Sequence, residues 1–335
     1  MTVSPVPYFF ELSGEHPTLP EAEARSCCAA ECDRFEVGSS GPGYAILGFE
    51  PRALGSIASR LALTHRLGRY LGSCPPAEAE RFAGELDIPD GTIAVRAKRY
   101  QESHLGVDVG KLAVRIGGVA AKGRKVDLEH PEIELRLLVS DRVHFFLGER
   151  EIDRGQFEKR KVAERPYFSP ISLHPKFARA LVNMTLVKRG GRLLDPFCGT
   201  GGVLIEAASI GIRACGSDIS PAMVEGCVLN MEHFGLPYER IVVSDIGDIA
   251  DAIGKVDGVA TDPPYGRATS TMREPLGELY DRAMDAIASV LDRGAMAGVV
   301  LPRPCPRSDG LELVSHHSQK VHRSLSRNYC LLRRR

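Results

Sequence analysis

The chain reads as an α/β protein whose C-terminal half is a doubly wound, mainly parallel sheet preceded by an α+β region. Three observations predict this. From Gly191 onward, short apolar runs alternate with helix-forming stretches, the order that right-handed βαβ crossovers require. Asp195, Asp218, Asp245 and Asp262 close four successive runs, at positions where core packing alone would want no acid. Before residue 150 the runs read as short strands mixed with helices, for which the residues say only α+β.

Residues 8–13 read as a strand, and 20–30 as a helix whose first turn carries Glu21 and Glu23, as the helix dipole favours. A turn cluster over 38–43 precedes a strand at 44–49, and residues 51–71 continue as a mostly helical stretch. The Cys74-Pro75-Pro76 break ends that stretch. Residues 91–98 alternate apolar with basic or polar positions as a strand does, 106–119 read as helix, and 126–128, 133–140 and 143–147 as strands. Residues 148–166 are dense in charge and poor in apolar side chains, which suits a partly helical linker. A helix is expected over 175–187; His174 before it reads either as a catalytic group or as a cap or packing residue. Strands then run to Asp195, Asp218, Asp245 and Thr261, with helices reaching 210 and spanning 221–234, 246–253 and 275–291. A strand at 295–301 and a hairpin of 311–316 with 324–332 end the chain.

The chemistry gathers at Thr261-Asp262-Pro263-Pro264-Tyr265-Gly266-Arg267. A buried strand runs into two prolines, which forbid further strand or helix, so the chain must turn at a strand end. That turn offers the Asp262 carboxylate, two carbonyls that no neighbouring amide must claim, and the Tyr265 ring. The set suits a flat base carrying an amino group. Asp262 and the Pro263 carbonyl accept the two amino hydrogens, Tyr265 stacks on the ring, and the nitrogen lone pair faces an electrophile. By themselves the same residues also make a plain proline-rich turn.

Upstream, Asp195-Pro196-Phe197-Cys198-Gly199-Thr200-Gly201-Gly202 carries a strand into a helix through a glycine loop that lets backbone amides approach a ligand. Asp218, followed by Ile219, is placed to hold ribose hydroxyls; Asp245, followed by Ile246, is placed to accept from an adenine amino group. Neither a phosphate-binding Walker pattern nor a full GxGxxG dinucleotide pattern is present. The cofactor implied has an adenosine and no phosphates.

The order of the Asp195 loop, Asp218, Asp245 and Asp262-Pro-Pro-Tyr resembles the S-adenosylmethionine-dependent amino-methyltransferases of the Rossmann-like class. More narrowly it is similar to the archaeal THUMP-domain tRNA (guanine(10)-N2)-methyltransferase/dimethyltransferase family. The likeness extends through Leu19-Pro20-Glu21-Ala22-Glu23, Val95-Arg96-Ala97-Lys98-Arg99, Ser172-Leu173-His174-Pro175-Lys176, Gly216-Ser217-Asp218-Ile219-Ser220 and Val321-His322-Arg323-Ser324-Leu325. The resemblance implies a ferredoxin-like domain over 1–72, a THUMP RNA-binding domain over 73–148, a linker over 149–166, and a class I methyltransferase domain over 167–335 with a seven-stranded sheet. It implies methylation of guanosine N2 at tRNA position 10, once or twice, with S-adenosylmethionine as cofactor. It also leaves room for a small activating subunit beside the tRNA, the chain otherwise being expected to act as a monomer. Three rivals stay open here: methylation at another tRNA guanosine such as position 6, methylation of a DNA amino group, and a non-catalytic tRNA-binding role.

Lys+Arg and Asp+Glu both number 43, but the charges are unevenly spread. Residues 1–90 carry 7 basic and 13 acidic side chains, whereas 96–125 and 301–335 each carry 8 basic and 2 acidic, fields of the kind a phosphate backbone seeks. Arg96, Lys98, Arg99, Lys122, Arg124 and Lys125 are therefore candidate RNA contacts, with Arg323, Arg327 and the terminal arginines as further ones. The nine cysteines show no CxxC pair and no Cys/His array of zinc spacing, so neither a disulfide scaffold nor a metal site is expected. Cys198 reads as a small packing residue of the loop, because an exocyclic amine needs no thiol nucleophile. No membrane span or leader is read, and a cytoplasmic location is expected.

Overall fold

The structure, a computed structural model, describes residues 4–169, 172–265, 274–322 and 325–335. Chain contacts divide it into two units, Met1–Ser59 with Leu63–Ile152, and Arg60–Ala62 with Asp153–Arg335.

The first unit runs β1 (Val6–Leu12), α1 (Leu19–Glu31), β2 (Glu36–Gly41), β3 (Tyr44–Phe49), α2 (Leu54–Arg60), β4 (Thr64–Cys74), α3 (Ala79–Gly84), β5 (Ile93–Arg99), α4 (Val109–Ala120), β6 (Ile133–Val139), β7 (Val143–Leu147) and β8 (Arg150–Glu151). Its strands form one sheet in the order β2-β3-β1-β4-β7-β6-β5, with β8 paired to β4. The sheet passes through the expected boundary at residue 72, which falls inside β4. One buried cluster joins Phe9, Tyr44, Ile46, Leu138 and Phe146; in another, Leu112, Ile116 and Ala120 bring one face of α4 onto β5 and β6.

Three expectations fail in this unit. Residues 51–71 are not mostly helical: after α2, the strand β4 begins at Thr64 and pairs with β1 on one side and β7 on the other. At Gly68 a Cβ would stand 1.5 Å from the Leu147 carbonyl oxygen, a close approach of β4 to the end of β7 that only glycine permits. The cluster 38–43 is not all turn, because Glu36–Gly41 is the edge strand β2; its side chains are almost all exposed, so it carries no apolar period to read. Residues 126–128 form only an isolated bridge from Val126 to Ile93, Val126 and Leu128 being 54% and 63% exposed.

The second unit runs α5 (Gly155–Glu158), α6 (Pro175–Met184), β9 (Arg192–Asp195), α7 (Gly202–Ala208), β10 (Arg213–Asp218), α8 (Pro221–His233), β11 (Arg240–Val243), α9 (Ile249–Ile253), β12 (Val256–Thr261), α10 (Leu276–Val290), β13 (Leu291–Leu301), β14 (Leu311–His322) and β15 (Leu325–Arg334). Its seven strands are ordered β11-β10-β9-β12-β13-β15-β14. The first five are parallel, β15 lies antiparallel between β13 and β14, and the direction of winding reverses between β9 and β12. Ligands of such sheets bind outside the carboxyl ends of the strands at that reversal, where both sequence motifs emerge. On α10, Leu279, Tyr280, Ala283, Met284 and Ile287 fall at helical spacing and bury one face against β12 and β13. The C-terminal arginines do not fray: Arg334 Nη1 donates to the Gly310 carbonyl at 2.9 Å, and β15 reaches Arg334. Among the described residues, no helix is long and apolar enough to cross a membrane.

Candidate active site

Two strand ends build the site. At the end of β9, Asp195 is 2% exposed, and its Oδ1 accepts from the Phe197 amide at 3.1 Å and from Thr261 Oγ1 at 2.7 Å. Thr261 is the last residue of β12, so one bond ties the glycine loop to the base of the Asp262 turn. Burial pushes the Asp195 carboxyl up to about 7, with those two hydrogen bonds only partly opposing it. The loop enters α7 through Gly201, whose φ of +84° suits glycine; a Cβ there would also stand 2.7 Å from Cys227 Sγ.

At the end of β10, Asp218 accepts from the Gly199 amide at 3.0 Å and the Ser220 amide at 2.9 Å, which fixes the loop from below. Burial raises its pKa against those bonds. Asp245 follows β11, accepting from the Gly247 amide at 2.8 Å and from Arg282 Nη1 at 2.7 Å. Arg282, which also pairs with Glu274 at 2.9 Å, is the main reason its carboxyl titrates below the usual range.

At the Asp262 turn the buried Tyr280 hydroxyl, from α10, donates to the Pro264 carbonyl at 2.8 Å. Tyr265 Oη donates to Asp262 Oδ1 at 2.5 Å. Loss of hydration pushes the Asp262 carboxyl up to about 6, while the Tyr265 bond and the positive charge of Arg327 on β15 hold it from rising further. Gly266 and Arg267, the rest of the motif, lie outside the described residues.

These strand ends enclose a pocket of about 770 Å³. Every residue singled out over 195–200, 218–219, 245–246 and 262–265 lines it; Gly201 lies in the same loop without forming the wall. Sequence reasoning missed Ser169, Ser172, Met223, Glu274 and Arg282 as wall residues. Only tertiary contact brings Arg282 to Asp245, 37 residues away, and no local pattern announces it. The volume suits a nucleoside-sized cofactor. Its acidic wall disfavours phosphates and favours a cation carrying hydroxyls and an amine, so the residues present fit S-adenosylmethionine.

Cys198 is buried and faces Cys227; that contact and burial raise its thiol well above the ordinary value, which leaves it no nucleophilic thiolate. His174 caps α6, its Nδ1 accepting from the Lys176 amide at 3.3 Å and its Nε2 lying 3.2 Å from Glu158. It does not line the pocket. Among the described residues no His/Cys/Asp/Glu cluster could hold a metal.

The basic candidates of the first unit fare unevenly. Arg96 pairs with Glu134 at 2.6 Å and Lys98 with Glu11 at 2.6 Å. Arg99 donates to the Val107 carbonyl, and Arg124 to the Ile88 carbonyl at 2.6 Å. Lys122 and Lys125 are exposed. Arg323 lies outside the described residues, and Arg327 stands beside Asp262 and Tyr265.

The RMKL-like methyltransferase domain family (UPF0020) matches residues 163–308. A tRNA (guanine(10)-N2)-dimethyltransferase of Methanothermobacter thermautotrophicus is 36% identical over 94% of this chain and 96% of that protein. One of Pyrococcus abyssi is 35% identical over 83% and 86%. Among solved structures, TrmN from Thermus thermophilus aligns with 98% of this chain and 100% of that chain at a TM-score of 0.55 and 22% identity, a likeness of fold. SMU.472, solved in complex with SAH, aligns at a TM-score of 0.51 and 14% identity over 100% of this chain and 99% of that chain, again a likeness of fold. With the Asp262 turn and the glycine loop opening on one pocket, and with relatives alike over nearly their whole length, this chain belongs to the tRNA (guanine(10)-N2)-dimethyltransferase family.

Proposed function

We propose that this protein methylates the exocyclic N2 of guanosine 10 in tRNA, giving N2-methylguanosine and then N2,N2-dimethylguanosine, with S-adenosylmethionine as methyl donor. One observation carries the chemistry: the Asp262 turn and the Asp195 loop line one pocket and are joined by the Thr261–Asp195 hydrogen bond.

The cofactor supplies an electrophilic methyl group on a sulfonium. The chain must supply orientation. The guanine N2 lone pair is delocalised into its ring, so the amine attacks poorly until its hydrogens are held out of that conjugation. Asp262 and the Pro263 carbonyl are the acceptors for the two hydrogens, and the Tyr265 ring stacks on the base. Because Tyr265 Oη occupies Asp262 Oδ1, this hydroxyl must yield or the amine must use Oδ2. As the new N–C bond forms and the C–S bond breaks, one N2 proton passes to the Asp262 carboxylate and on to solvent. A base in a tRNA stem must leave its stack to reach the pocket, at a cost of a few kcal/mol.

On this reading Asp218 and Asp245, with Ile219 and Ile246, hold the adenosine, and the loop 195–201 holds the rest of the cofactor. Residues 73–148 act as a THUMP RNA-binding module, preceded by the ferredoxin-like residues 1–72. Lys122 and Lys125 are its freest cations; Arg96, Lys98, Arg99 and Arg124 would exchange their present partners for phosphate oxygens. The protein then works in the cytoplasm as a monomer.

Nucleoside mass spectrometry of an unmodified tRNA transcript incubated with the protein alone and S-adenosylmethionine tests this. Methylated guanosine lost when guanosine 10 is replaced is expected, as is its loss in Asp262→Ala with cofactor binding retained. Methylation that survives the guanosine 10 replacement would overturn the site, and most activity persisting in Asp262→Ala would overturn the role given to that residue. Activity that appears only after a cell extract is added would show the need for an activating subunit.

A further inference from the structure

Behind the glycine loop, three guanidiniums meet one carboxylate. Glu206 of α7 is fully buried; Arg160 reaches its two oxygens at 2.7 and 3.0 Å, and Arg179 reaches Oε2 at 2.8 Å. Arg165 is the third cation. Its Nε donates to the Arg160 carbonyl at 3.0 Å, but Nη1 and Nη2 are buried and have no hydrogen-bond partner among the described residues. The residue is 5% exposed. One carboxylate already held by two arginines leaves the third charge unbalanced, and a buried cation with two idle donor nitrogens carries a large desolvation cost. Burial accordingly depresses the Arg165 pKa despite the nearby Glu206.

The idle donors face the pocket wall. Nη1 and Nη2 lie 3.2 and 3.5 Å from where a Cβ on Gly202 would stand, and Ser172 Oγ lies 3.0 Å from the same point. Gly202 and Ser172 both line the pocket. Arg165 itself does not line the pocket, so Gly202 and Ser172 stand between its guanidinium and the cavity, and glycine makes the thinnest cover that position 202 could carry. What is missing is an anion that accepts from a planar fork. A carboxylate matches that geometry with two parallel hydrogen bonds.

We propose that Arg165, with Ser172 beside it, binds the α-carboxylate of the methionine tail of the cofactor. This rests on S-adenosylmethionine as the ligand of the pocket, and the carboxylate is its only anionic group. A tRNA phosphate is the other anion at hand, but the burial of Arg165 behind the glycine loop disfavours a polymer backbone.

Calorimetric titration with S-adenosylmethionine and with its decarboxylated form tests the assignment, since the two ligands differ only in the carboxylate. The wild-type protein should bind S-adenosylmethionine at least ten-fold more tightly than the decarboxylated compound. In Arg165→Gln that preference should vanish through loss of S-adenosylmethionine affinity, with the decarboxylated ligand bound as before. The unliganded variant should unfold at the wild-type temperature or above it, because an unbalanced buried charge has been removed; a purely structural arginine would lower it. If Arg165→Gln does not accumulate, Arg165→Lys keeps the charge without the fork and should lose part of the same preference. Equal binding of the two ligands by the wild-type protein overturns the proposal and leaves the cofactor reading standing. Equal weakening of both ligands in the variant, or a loss confined to tRNA affinity, overturns it too. Wild-type protein that binds neither ligand removes the cofactor reading itself.

Discussion

Tyr265→Phe isolates the bond between Tyr265 Oη and Asp262 Oδ1 while keeping the aromatic ring. The free protein holds the Asp262 carboxyl at about 6, where burial raises it and the tyrosine hydroxyl opposes that rise. A hydrogen bond to a charged group contributes about 1.5–3 kcal/mol, and about 1.4 kcal/mol corresponds to one pH unit. Removing the hydroxyl therefore moves the Asp262 pKa upward by roughly 1–2 units. The amine needs the ionised carboxylate as acceptor, so activity should rise with pH through that pKa. The assay is kcat/KM for a tRNA transcript between pH 5 and 9, since this ratio reports groups of the free enzyme. Wild-type protein should show an acid limb near pH 6, and Tyr265→Phe the same limb displaced toward pH 7 to 8. A limb that stays in place, or moves to lower pH, would refute the assignment of Asp262 as the group that must be ionised.

Two further tests concern stability. The Asp195 carboxyl, raised to about 7, keeps a proton in the folded chain that the unfolded chain releases near pH 4. Stability should fall as pH rises through that window, because the native state binds the extra proton. Asp195→Asn retains the acceptor for Thr261 and Phe197, so thermal unfolding without ligand should show it more stable than wild type at pH 8, by on the order of 2–4 kcal/mol, and equal near pH 4. Ile287, fully buried in the cluster of α10, β12 and β13, should cost about 2–5 kcal/mol when truncated to alanine, read by chemical denaturation of the unliganded protein.

The second unit was legible because four of its strands are short runs that lead into acids, and α10 buries one face at helical spacing. The helix expected over 275–291 is Leu276–Val290, and all four strand-end acids line the pocket. In the first unit β4 escaped detection because Arg66, Arg69 and two glycines interrupt its apolar alternation, and only pairing with β1 and β7 makes it a strand. Ion pairing escaped for a different reason. Glu11 neutralises Lys98 from 87 residues away, so a basic block in the chain is a weaker field in space. Arg282 reaches the pocket wall and Arg327 the Asp262 turn from outside both motifs, and only tertiary contact places them there.

The placing of the two motifs on neighbouring strands has a consequence for tolerance to change. β9 and β12 pair in parallel, Leu193 with Gly258 and Leu194 with Val259. A slip of one residue would displace one motif against the other by about 3.3 Å, far beyond the fraction of an ångström that in-line transfer allows. Alignment of donor and acceptor is thus all-or-none. Drift at the outer strand β14, which gives no residue to the pocket wall, can accumulate without blunting the reaction by degrees, whereas a change that loosens the central pair should abolish it outright.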